Sequence, residues 1–199
     1  MKLYLTSNGL EDNNVAEYFR KTVLSKDIKA VSFLVVSVKD SEFYIQKTIN
    51  QLKVIGAVDI DIFELKDKKF DTIKKYDVVY VCGGNTFVYL DRIKKTGLDK
   101  FIINSVRSNR SIYMGVSAGS IVAGHNIELA GWGDSGDVNE IGLIDLKGLG
   151  LIDMLVFPHY LVQEEKMLKE FEKKNKCQIT RLSDNQAVFI NNDIVSIID

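Results

Sequence analysis

Apolar and polar positions along the chain fall into alternating blocks whose periods differ. Near-continuous apolar runs at 3–6, 30–38 (Ala-Val-Ser-Phe-Leu-Val-Val-Ser-Val), 77–82 and 111–116, and a looser one around Ile60, Ile62 and Leu65, predict five strands. Runs without strict alternation suit strands covered on both faces, as in a parallel sheet. Between them the apolar positions take helical spacing: Phe43, Ile45, Ile49, Leu52 and Ile55, then Phe87, Leu90 and Ile93, then Leu98, Ile102 and Val106. A short apolar strand at 154–157 leads into Pro158, and 164–174 reads as a charged helix with Met167, Leu168 and Phe171 on its buried side. Three short strands follow at 178–182, 187–190 and 194–198, the last two joined by the turn residues Asn191-Asn192-Asp193 as a hairpin.

This alternation, with one proline and no repeat, low-complexity stretch or linker, predicts one domain over 1–199. Its expected architecture is α/β: a three-layer α/β/α sandwich on a mostly parallel sheet, with a C-terminal β-hairpin. Strands two to five are expected to pair in parallel through right-handed crossovers.

Composition narrows the function classes. The formal charge of −1, from 26 basic and 27 acidic side chains, supplies no basic field for nucleic acid and no polybasic surface for a membrane. Cys82 and Cys177 cannot make a disulfide framework, and no Cys/His cluster has zinc-ligand spacing, so no metal is expected. The apolar run near Met1 is too short for a signal peptide, and the expected location is cytoplasmic. A homodimer is compatible with the sequence.

The chemistry concentrates at 111–123, where an apolar strand runs into Gly115-Val116-Ser117-Ala118-Gly119 and then a small-residue helical start. Gly-x-Ser-x-Gly between strand and helix is the pattern of a nucleophile elbow. A serine on so tight a bend needs small neighbours, and the bend lifts its hydroxyl above the carboxyl ends of the strands, where α/β proteins bind ligands. A helix-capping serine flanked by packing glycines is the plainer alternative. Of the two histidines, His125 falls near the end of the elbow helix and should point away. His159 follows a strand and a proline, on a loop where a base would be presented. A second strand–glycine–helix junction, Cys82-Gly83-Gly84-Asn85-Thr86-Phe87, could complete an oxyanion hole through the Gly84 or Asn85 N–H together with that of Ala118. No phosphate-loop pattern continues it, which argues against nucleotide binding, and no cofactor is expected. Cys82, at a strand end, reads as packing.

Taken together, Gly-Gly-Asn-Thr-Phe (83–87), Gly-x-Ser-Ala-Gly (115–119) and Pro158-His159, in this order and at these separations, resemble the serine peptidases that include peptidase E (aspartyl dipeptidase) and the cyanophycinases. The resemblance runs from Leu3 to the final hairpin. It implies a fold related to class I glutamine amidotransferases, with Ser117 as nucleophile, His159 as general base, and Gly84 and Ala118 as oxyanion donors. The residue that orients the histidine stays open: the late turn Leu182-Ser183-Asp184 favours Asp184, with Asp137, and Asp134 beside it, in reserve. Asn85 and Glu164 are the expected substrate-binding residues. Where aspartyl dipeptidases are thought to carry a substrate-reading arginine, this chain has Glu164, which suits a free amine or a basic group better than an aspartyl side chain. The expected activity is hydrolysis of small peptides through an acyl-enzyme. An esterase or other acyl hydrolase, and a non-catalytic small-molecule-binding member of the fold, are the alternatives.

Overall fold

A computed structural model describes residues 1–24, 27–38, 42–66, 68–133 and 135–199. Its main sheet is seven-stranded, in the order β3-β2-β4-β5-β1-β8-β9. The strands are β1 (Lys2–Thr6), β2 (Ser32–Val38), β3 (Asp59–Leu65), β4 (Val78–Val81), β5 (Ile112–Val116), β8 (Ala187–Asn191) and β9 (Ile194–Ile198). The first five pair in parallel, with Leu3 against Tyr113 and Val81 against Gly115. The hairpin β8–β9 closes one side antiparallel, β8 lying against β1. Every residue of β4, and residues 3–6 of β1, are buried. Successive strand residues face opposite ways, so both faces of the sheet centre are covered.

The helices α2 (Glu42–Val54), α3 (Thr86–Thr96), α4 (Leu98–Arg107) and α6 (Glu165–Asn175) lie where the spacing predicts them, and the short α1 (Asn13–Tyr18) precedes β2. In α2 the burial is narrower than the apolar pattern: Ile45 and Leu52 are buried, while Phe43 is 74% exposed. The elbow helix α5 (Ala118–Val122) is five residues long, so His125 lies beyond it, on the surface. Among the described residues no helix is long and apolar enough to cross a membrane.

One arrangement departs from the periodicity. The strand at 178–182 does not join the terminal hairpin. As β7 (Ile179–Leu182) it pairs in parallel with β6 (Leu155–Pro158), forming a separate two-stranded ribbon. A second apolar cluster of Leu129, Leu155, Leu168, Phe171 and Ile179 packs this ribbon under α6. Short apolar strands look alike in sequence; their partners are set by which face finds cover. The register Pro158 against Leu182 brings the chain just after each strand side by side.

Candidate active site

Sheet and ribbon meet at a cleft beyond the carboxyl ends of β1, β4, β5, β6 and β7. Ser117 stands on the β5–α5 bend with φ 49° and ψ −112°, a backbone shape that L-residues rarely adopt. The surroundings over-determine it. The Ser117 N–H donates to the Thr6 carbonyl at 2.9 Å, and its own carbonyl accepts from Ser120 and Ile121. The buried Ser120 hydroxyl accepts the Thr6 N–H and has the carbonyls of Thr6 and Gly115, at 2.8 and 2.9 Å, as alternative acceptors for its one proton, and the Tyr113 hydroxyl donates to the Gly119 carbonyl at 2.6 Å. The flanking glycines are there for close approach: a Cβ on Gly119 would stand 2.1 Å from the Val81 carbonyl oxygen, and one on Gly115 2.6 Å from that of Gly119.

His159 also holds a positive φ, 57°. Its Nδ1 lies 2.6 Å from Asp184 Oδ1. That contact follows from the ribbon register, since His159 comes one residue after Pro158 and Asp184 two after Leu182. The His159 N–H donates to the Ser7 hydroxyl at 3.0 Å, and that hydroxyl donates to the Leu182 carbonyl at 2.9 Å, which also accepts from the Tyr160 N–H. Adjacent residues at the end of β1 therefore hold both halves: Thr6 the backbone of Ser117, and Ser7 that of His159. Ser7 is buried, and nothing in its sequence setting singles it out from other polar residues at strand ends.

The junction after β4 supplies the third wall. Gly84 has φ +146°, and a Cβ there would meet Tyr89 Cε2 at 2.8 Å, so only glycine lets this backbone lie beside Ser117. The Ala118 N–H opens α5, among the helix-start groups that have no partner within the helix. Asn85 is occupied elsewhere: its Oδ1 accepts the Val88 N–H as N-cap of α3, and its Nδ2 donates to the Val138 carbonyl. One Nδ2 hydrogen and one Oδ1 lone pair remain beyond these two bonds. Asp137 Oδ2 accepts the Thr86 N–H at 2.7 Å, also at the start of α3, whereas Asp184 is the carboxylate at the imidazole. Asp134 lies outside the described residues. Cys82 is buried beside Thr48, and burial pushes its thiol up to about 12, which leaves it protonated and inert near neutrality.

Two cavities flank this centre, and Ser117, His159, Gly84 and Asp137 border both. One, of about 390 Å³, runs toward Asn8, Tyr44 and Lys47. The other, of about 290 Å³, runs toward Thr86, Ser135 and Glu164. Glu164 Oε2 accepts the Leu161 N–H at 2.8 Å and its Oε1 accepts the Ser135 hydroxyl at 3.1 Å. Among the described residues no group of three or more His, Cys, Asp or Glu side chains could hold a metal ion.

The chain is similar to known proteins over much of its length. The chain is 30% identical over 199 residues to the uncharacterized peptidase Lmo0363 of Listeria monocytogenes, covering 94% of this chain and 93% of that one. It is 32% identical over 142 residues to peptidase E of a Nostoc species, covering 70% of this chain and 56% of that one. A solved structure of a candidate peptidase E protein from Listeria monocytogenes superposes with a TM-score of 0.76 at 24% identity, covering 98% of this chain and 96% of that one, and shows the shared fold. Residues 3–198 match peptidase family S51. The chain belongs to that family and is a hydrolase, a peptidase of the serine type.

Proposed function

We propose that the protein hydrolyses small peptides through an acyl-enzyme on Ser117, with His159 as the base. The observation that carries this reading is the convergence of a strained elbow serine and an Asp-bonded histidine on one cleft. In the first half-reaction Ser117 Oγ attacks the scissile carbonyl carbon while His159 Nε2 takes its proton. The tetrahedral oxyanion faces the N–H groups of Gly84 and Ala118. Collapse expels the amine, which leaves with the proton from Nε2. Water then repeats the sequence, with His159 again as base, and releases the acid. Asp184 at Nδ1 fixes the tautomer that keeps Nε2 free to accept, and stabilises the imidazolium that forms in each half-reaction.

Cavities of about 390 and 290 Å³ on either side of the nucleophile have room for roughly one residue each, which suits a dipeptide or a similarly short chain. Mass-spectrometric profiling of a dipeptide library tests the reading. Wild type is expected to cleave a subset, and Ser117→Ala to lose at least about a thousandfold in kcat while keeping its circular dichroism spectrum. A Ser117→Ala protein as active as wild type would refute it.

A further inference from the structure

Two successive glycines, Gly83 and Gly84, stand in the wall of the cleft, and each packs on a side chain. A Cβ on Gly83 would stand 3.3 Å from the Ser117 Cβ. One on Gly84 would stand 2.8 Å from Cε2 of Tyr89, with Cδ2 at 3.6 Å and Cζ at 3.9 Å. The peptide that joins the pair carries the Gly84 N–H. Glycine reaches positive and negative φ with similar ease, so two in a row leave the direction of that N–H unspecified by the chain itself. An oxyanion donor stabilises most when it is already aimed before the reaction begins.

The Tyr89 ring is placed to supply that aim. Tyr89 is the fourth residue of α3 and is fully buried. Gly84 borders both cavities and Tyr89 borders neither, so the ring lies behind the glycine as seen from the cleft. The helix that carries it is anchored at its start. The Tyr89 N–H donates to the Asn85 carbonyl at 3.0 Å, Asn85 Oδ1 accepts the Val88 N–H, and Asp137 Oδ2 accepts the Thr86 N–H. We infer that Tyr89 is a positioning residue for the reaction: its ring braces the Gly84 backbone from behind and keeps the Gly84 N–H directed at the developing oxyanion. Ring carbons make the contact, so the ring and not the hydroxyl is the working part. The inference rests on the serine-peptidase reading, with the Gly84 N–H as an oxyanion donor.

Two substitutions separate ring from hydroxyl. Tyr89→Phe keeps Cδ2 and Cε2, whereas Tyr89→Leu removes the far half of the ring and leaves space into which the glycine pair can recede. Each is compared with wild type for kcat and KM on a dipeptide that wild type cleaves, and for the rate of phosphonylation by a fluorophosphonate. Rates are expressed per active site, counted from the end point of phosphonylation, so a loss of folded protein does not enter. Tyr89→Phe is expected within about twofold of wild type in every rate. Tyr89→Leu is expected to lose at least about tenfold in kcat with KM within about twofold, and to be phosphonylated more slowly by a similar factor. Tyr89→Met, closer to tyrosine in length, takes the place of the leucine variant if that one does not fold, with the same split expected. Wild-type rates per site in the leucine or methionine variant, a loss confined to KM, or a phenylalanine variant as impaired as the leucine one would each overturn the inference. Failure of the peptidase reading looks different: undiminished activity in Ser117→Ala, or a phosphonyl group on a residue other than Ser117, whatever the Tyr89 variants do.

Discussion

Ser117 and His159 both sit at positive φ, and each is tied to the main sheet through one of two neighbouring residues, Thr6 and Ser7. The serine was legible because a strained bend leaves a pattern of small residues around it, and the histidine because only two exist and one follows a strand and a proline. Ser7 was not legible: its role depends on the ribbon meeting the end of β1, a contact between residues 152 positions apart. Ser7→Ala removes the hydroxyl that bridges the His159 N–H and the Leu182 carbonyl. A loss of about 1–3 kcal/mol in stability is expected, with kcat falling at least about tenfold through misplacement of the imidazole while KM changes little. Ser7→Thr, which restores the hydroxyl, should recover much of the rate. Thermal melts and steady-state kinetics on the two variants check this; a Ser7→Ala enzyme with wild-type kcat would remove Ser7 from the positioning role.

Elements were read best where their period was long and their ends were marked. Helix α3 begins at an Asn cap and ends at Gly97, and β1 to β5 pair as parallel neighbours. The pairing of β7 with β6 was not readable, because four-residue apolar strands carry no partner information and the deciding factor is the cluster of Leu155, Leu168, Phe171 and Ile179 under α6. The junction of β4, β5 and α5 has no room for a methyl group at Gly119, 2.1 Å from the Val81 carbonyl. Gly119→Ala should therefore cost more than about 3 kcal/mol in denaturant unfolding, since backbone on both sides must shift. Gly97→Ala serves as the comparison: its φ is +78° but nothing lies within 4 Å, so it should cost only about 1 kcal/mol. The ribbon also carries a pH lever. Arg181 hydrogen-bonds Glu172 and Glu165 and holds both carboxyls below the usual carboxylate range. A carboxyl depressed in the folded state stabilises above its unfolded pKa, and that contribution fades as pH falls through the folded value. Stability should thus decline as pH drops below about 4.3, and Arg181→Met should flatten that decline in melts taken between about pH 6 and pH 3.

The whole molecule places its chemistry between two bodies of structure: the main sheet carries Ser117 and Gly84, and the ribbon carries His159 and Asp184. Activity should be lost whenever the ribbon parts from the sheet, even if the sheet persists. The protein has one tryptophan, Trp132, whose ring packs edge-on against Phe171 in the ribbon cluster under the Lys174 ammonium. Residual activity in urea should accordingly follow Trp132 fluorescence at least as closely as far-ultraviolet circular dichroism; activity that outlasts the tryptophan transition would contradict this. The most direct measurement is the intact mass and peptide map of the protein after exposure to a fluorophosphonate. One phosphonyl group is expected, on the peptide bearing Ser117, absent in Ser117→Ala and formed far more slowly in His159→Ala. An unmodified protein, or an adduct placed on any other residue, would contradict the assignment of Ser117 as the nucleophile.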